Sequence, residues 1–189
     1  MKKELLKFGF LLLSASSLLL SSCKKDKDEE ENEEEVITTM QLTFVPVGVG
    51  STVVYKFDDP DGDGGAAPTK DVITLAANKT YNVTLQLLNK TVNPVVDITT
   101  EVAAEGASHR FYYQPSVGSN ISIAGFNNDA AGIPLGITSV WTTGAAANGT
   151  TKVTLRHYPG NPPNKAAADL VTSSKSSTDI EVEFNTTVQ

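Results

Sequence analysis

Tyr81-Asn82-Val83-Thr84-Leu85-Gln86-Leu87 alternates apolar and polar residues without a break. Successive side chains of a β-strand point to opposite faces. Tyr81, Val83, Leu85 and Leu87 therefore make one apolar face, and Asn82, Thr84 and Gln86 a polar one. The same period of two returns along the chain. Met40, Leu42 and Phe44 alternate with Thr39, Gln41 and Thr43; Val53, Tyr55 and Phe57 keep the rule, as do Val153 and Leu155. Ile180, Val182 and Phe184 alternate with Asp179, Glu181 and Glu183 near the end.

Weaker strand candidates lie at Val72 to Leu75, Val95 to Val102, Arg110 to Tyr113, Ile121 to Phe126 and Ile137 to Thr142, which brings the expectation to about ten short strands. Gly, Pro, Asn and Asp punctuate the gaps. No apolar stripe at helical period follows residue 23, and the segment from Pro159 to Ser177 reads as a long flexible loop. This pattern predicts an all-β fold. The expected form is a single antiparallel β-sandwich of Ig-like or Greek-key type, with a closed barrel as the alternative. Residues 36–189 form one domain without internal repeats.

That domain holds 9 basic and 13 acidic side chains, a net of −4. It shows no basic patch, and nucleic acid is not an expected partner, because phosphate binding needs clustered Lys and Arg.

Residues 1–22 have the layout of a signal peptide with a helical apolar segment. Lys2, Lys3 and Lys7 supply positive charge, and Phe8 to Leu20 supplies an apolar run too short and too interrupted to span a bilayer. Leu20-Ser21-Ser22-Cys23 then resembles the bacterial lipobox. The resemblance implies cleavage before Cys23 and acylation of that residue, palmitate included, with several chains giving durable membrane anchoring. Cys23 is the single cysteine, so no disulfide can form within the chain and the domain must be stable from burial alone.

Lys24 to Glu35 reads KKDKDEEENEEE. It has no apolar residue to pack and is expected to be a disordered acidic tether over residues 23–35. A run of acids just after a lipidated cysteine resembles the surface-export signal of Bacteroidota lipoproteins. That implies an outer-membrane protein, lipid-anchored and exposed at the cell surface, with the membrane as its first partner.

Three groups of residues could carry chemistry. Asp59, Asp61 and Asp63 alternate with small residues, a spacing that can aim carboxylates at Ca²⁺ or merely build a turn. An EF-hand is not complete, since the twelfth position counted from Asp59 is Lys70. His109 is in phase with Phe111 and Tyr113, and His157 with Val153 and Leu155, so each sits at a strand end on an apolar side. Two imidazoles with Glu101 or Glu105 would suit Zn²⁺ or Cu²⁺ if the two strand ends meet; otherwise they are unrelated core-edge histidines. Phe111, Tyr112, Tyr113, Trp141 and Tyr158 could line a ligand platform or simply pack. Catalysis is not expected. The chain has no G-x-S-x-G, few general bases and no complete phosphate loop at Gly48-Val49-Gly50-Ser51. Glu181 and Glu183, beside Asp179, read as solubilising charge on an outward strand face.

Several strings together, namely Asp59 to Gly65, Ile73 to Asn78, Asp97-Ile98-Thr99 with Glu101, His109 with its aromatics, Val153 to His157 and Asp179 to Phe184, resemble a family of Bacteroidota lipoproteins. Members often carry the label "type 1 periplasmic binding fold superfamily protein". A two-lobed α/β fold needs more residues and more helices than this chain offers, so the resemblance implies location rather than that fold. The function expected is a ligand- or metal-binding module that serves an outer-membrane uptake receptor. The alternative is a structural or adhesion protein with no small ligand.

Overall fold

The computed structural model describes residues 35–62 and 64–189. The signal segment, Cys23, residues 24–34 of the acidic run, and Asp63 lie outside the described residues. Eleven strands and one helix follow in order among the described residues: β1 (Thr39–Pro46), β2 (Val53–Asp58), β3 (Thr69–Lys70), β4 (Ile73–Leu75), β5 (Thr80–Asn89), β6 (Val96–Asp97), α1 (Ile98–Ala104), β7 (His109–Pro115), β8 (Ile121–Ala124), β9 (Thr138–Thr143), β10 (Ala147–His157) and β11 (Ser177–Val188).

The strands make two sheets. The larger runs β3-β2-β1-β5-β9-β8, with β6 also pairing β5; the smaller runs β4-β11-β10-β7. The alternation in β5 works as expected, since Tyr81, Val83, Leu85 and Leu87 are all buried. They join Met40, Leu42 and Phe44 of β1 and Phe111, Val153, Leu155, Val182 and Phe184 of the smaller sheet in one core. Trp141 of β9 sits where the sheets meet. Its ring lies edge-on to Phe44 at 5.0 Å and to Tyr113 of β7 at 6.1 Å. Its indole N–H donates to Ser139 Oγ at 3.0 Å, so this buried donor is satisfied.

The fold is the expected β-sandwich, with three differences in detail. The larger sheet ends at β3 and β8 without closing on itself, so the barrel alternative does not hold. β4 pairs with β11 in parallel, through Thr186↔Ile73 to Val188↔Leu75, so the smaller sheet is mixed. The predicted strand from Val95 to Val102 is a two-residue strand followed by α1. Ile98 and Val102, four residues apart, are both buried, and the Asp97 side chain accepts from the Thr99 N–H at 2.9 Å as an N-cap. The cap and the i, i+4 pair favour a short helix over the strand.

The long segment after β10 is tied down rather than loose. Arg110 donates to the carbonyls of Ala166, Ala167 and Asp169, and Arg156 to those of Ser173 and Ser176. Tyr112 hydroxyl donates to Asp169 O at 3.1 Å and bonds the Tyr158 hydroxyl at 2.6 Å. Phe111, Trp141 and Tyr158 are buried, so the aromatics form core and loop anchors instead of a surface platform. No helix among the described residues is long and apolar enough to cross a membrane.

Candidate metal centre

The start of β7 and the end of β10 coincide, because the two strands pair antiparallel in a register that sets His109 directly opposite His157. Residues opposite each other in a ladder present side chains to the same face. The two imidazoles stack at 4.8 Å between centroids, with their planes 24° apart. The condition for the histidine pair, that two strand ends meet, is therefore fulfilled.

The carboxylates that reach the pair are not the ones expected from sequence. Asp179 Oδ2 lies 3.9 Å and Glu35 Oε1 3.6 Å from His109 Nε2. His109, His157 and Asp179 each offer one donor atom, and all three atoms lie within 4.8 Å of one another. Glu101 and Glu105 are both exposed, Glu101 in the first turn of α1 and Glu105 at its C-cap. They act on the site from its margin: both raise the proton affinity of Glu35, and Glu105 also acts on His157.

Asp179 enters through an irregularity in the ladder. In the β10·β11 register Leu155 faces Ile180, but the next pair is Arg156↔Thr178, so Asp179 is an extra residue on β11. Strict alternation would send Asp179 outward with Glu181. A bulge breaks that phase and re-aims one side chain, and here the Asp179 side chain is only 4% exposed. Glu35 lies just before β1. Its side chain is 11% exposed, although the acidic run reads as fully solvated. Nothing in the local sequence marks either residue; only the bulge and the path of the chain into the sheet bring them in.

His109 is held in one tautomer. Its Nδ1 lies 3.2 Å from the Glu105 carbonyl, an acceptor, so Nδ1 carries the hydrogen and Nε2 presents its lone pair to the carboxylates. Lys165 fixes the same corner from behind. Its ammonium donates to the carbonyls of Gly106 and of His109 (2.9 Å for the latter) and pairs with Asp129 Oδ2 at 2.6 Å. The other Asp129 oxygen accepts from the N–H groups of Ala131 and Ile133, both at 2.9 Å.

The charge states suit cation binding. Burial, the neighbouring His157 and Lys165 push His109 down to about 4 against the Glu105 hydrogen bond, and burial also lowers His157. Both imidazoles are thus neutral near pH 7. Burial, then Asp179, Glu101 and Glu105, push Glu35 up to about 7. Zinc bonds of about 2.0–2.2 Å at a tetrahedral angle would place donor atoms about 3.4 Å apart. The gaps of 3.6 and 3.9 Å are close to that spacing.

The aspartate loop is arranged differently. Asp61 is exposed, and its Oδ2 accepts from the Ala66 N–H at 2.8 Å, closing the turn. The Asp59 carbonyl accepts from the Gly62 N–H at 3.2 Å. Asp63 is outside the described residues. Among the described residues the His109, His157 and Asp179 cluster is where three ligating side chains gather.

The end of the β-sandwich thus gathers two histidines and a carboxylate within reach of one another. No protein-family model matches the chain, and no curated protein or solved structure matches it either.

The opposed shifts give a measurable pH signature in the metal-free protein. The folded His109 value lies below its ordinary 6.5, so its contribution to stability is lost as pH falls from about 6.5 towards 4. The folded Glu35 value lies above its ordinary 4.5, so its contribution is lost as pH rises from 4.5 through about 7. Between these limits the slopes oppose. The Glu35→Gln variant removes one of them. Its stability relative to wild type should rise from pH 4.5 to 7 by about 1–2 kcal/mol, after allowing for solvent screening. Urea unfolding at a series of pH values reads this directly, and a difference independent of pH contradicts it.

Proposed function

We propose that this chain is a metal-binding module, taking one Zn²⁺- or Cu²⁺-class ion at His109, His157 and Asp179, and held at the outer membrane by a lipidated Cys23. The observation that carries it is the convergence of two neutral imidazoles and a buried carboxylate within 4.8 Å. Histidine with carboxylate is the donor set that zinc and copper accept, and neutral imidazoles bind without first losing a proton. Negative charge from Glu101 and Glu105, joined by Glu35 as it ionises through about pH 7, surrounds the cluster, while the buried ammonium of Lys165 is committed to Asp129. A cation would relieve that imbalance. Burial within a rigid sheet corner makes a small ion a better fit than an extended ligand.

The lipobox-like Leu20 to Cys23 and the acidic run support a lipoprotein at the cell surface, where captured metal could pass to an uptake receptor in the same membrane. The test is calorimetric titration of the chelator-stripped full chain with Zn²⁺ and Cu²⁺, followed by elemental analysis. One ion per chain and a raised melting temperature are expected. Absence of heat and of any thermal shift with either ion overturns the metal-binding function and favours a structural or adhesion protein.

A further inference from the structure

We infer that Glu35 is a fourth ligand, and that metal occupancy locks the point at which the acidic run enters the domain. This rests on the metal-binding function proposed above and adds a mechanical consequence to it.

Glu35 belongs to a stretch of charge that should stay in water, yet its side chain is 11% exposed. One oxygen, Oε1, faces His109 Nε2 at 3.6 Å; the other, Oε2, is buried with no hydrogen-bond partner. A carboxylate buried in this way beside Asp179 carries a desolvation cost that no hydrogen bond to Oε2 among the described residues offsets. A cation between Glu35, Asp179 and the two imidazoles offsets it. Added to the three side chains whose donor atoms lie within 4.8 Å of one another, Glu35 would complete the four donors of a tetrahedral zinc site.

The backbone around Glu35 gives this ligand a second role. Residues 35–38 lie outside any strand, with Val36 exposed. Thr38 ties the chain to the sheet: its N–H donates to Leu88 O at 2.9 Å, and its hydroxyl accepts from the Lys90 N–H at 2.9 Å. Glu35 stands three residues before that anchor. A metal bond at Glu35 therefore adds a fixed point on the N-terminal side of β1, beyond the packing of Ile37 against the core. Metal capture and the order of residues 35–38 are thereby coupled, and by linkage each biases the other.

Two measurements on the full chain, stripped by chelator and then loaded with Zn²⁺, test the coupling. The first is Zn²⁺ affinity by competition with a chromophoric chelator, in wild type and in Glu35→Gln. The second is hydrogen–deuterium exchange of the peptide covering residues 35–38. Glu35→Gln should bind Zn²⁺ about 10–100-fold more weakly, at least what outer-sphere partners of a metal ligand are worth. Zn²⁺ should slow exchange at residues 35–38 about tenfold or more in wild type, and not in the variant. If wild type binds no Zn²⁺, the metal-binding function itself fails. If wild type binds but the variant matches its affinity, or exchange at 35–38 ignores the metal, the lock is overturned and the three-ligand site stands.

Discussion

The His109→Ala, His157→Ala double variant should lose Zn²⁺ affinity by more than about 10³-fold, since it removes the two imidazoles proposed as direct ligands, where even outer-sphere partners are worth about 10–100-fold. The two rings sit opposite each other in the β7·β10 register and form the neutral part of the donor set. The sharper comparison lies among the acids. Asp179→Asn should cost more than about tenfold, because Asp179 Oδ2 lies 3.9 Å from His109 Nε2 in a buried position. Glu101→Gln should change affinity by less than about threefold, because Glu101 is exposed and acts only through its distant charge. Chelator competition gives all three values. A Glu101→Gln loss larger than that of Asp179→Asn would mean that the bulge on β11 does not deliver the ligand. Unfolding curves on each variant separate lost ligation from lost structure.

Lys165→Ala should destabilise the domain by about 3–5 kcal/mol, the range for breaking a buried ion pair by removing one partner. Both side chains of the Lys165–Asp129 pair are at most 2% exposed. Burial lowers the proton affinity of Lys165, with Asp129 partly offsetting it; burial acts upward on Asp129, but Lys165 and the Ile133 and Ala131 N–H groups hold it below the usual range. The alanine variant also strips the Gly106 and His109 carbonyls of their shared donor. Combining Lys165→Met with Asp129→Asn should recover part of the loss, because no lone charge remains and asparagine still accepts from the backbone at 131 and 133. Urea unfolding of the three proteins checks the order. Equal stability of wild type and Lys165→Ala would show that the pair contributes nothing to the corner. His109 hangs from this network by its own carbonyl, so the alanine variant should also weaken Zn²⁺ binding, whereas a distant destabilising change should not.

Much of the sandwich can be read from side-chain phase. Tyr81 to Leu87, Met40 to Phe44 and Ile180 to Phe184 each declare which face is buried, because burial of one sheet face imposes a period of two on the chain. The phase of His109 with Phe111, and of His157 with Leu155, likewise puts both rings on the inner side before any pairing is known. Phase is local, however, and it fails where the backbone leaves the regular ladder. Val95 to Val102 has the composition of a strand, but the Asp97 cap and the Ile98–Val102 pair turn most of it into a helix. Glu105, a candidate ligand, stands four residues before His109. That spacing does bring it near, but through its carbonyl on Nδ1 rather than its carboxylate.

By itself, then, the sequence determined the strand content, the inward face of each long strand, the absence of intrachain disulfides and the inward phase of both histidines. All follow from composition or from alternation within a few residues. Tertiary structure alone decided that the two histidines stand opposite each other, which depends on the register of strands about fifty residues apart. It alone turned Asp179 inward, through one extra residue on β11 that shifts the phase of the ladder. It alone carried Glu35 out of the acidic run and beside His109. The carboxylates of the candidate site were hidden for one physical reason: which atoms meet around a cation is set by long-range pairing and by a break in strand regularity, and neither leaves a mark in the neighbouring residues.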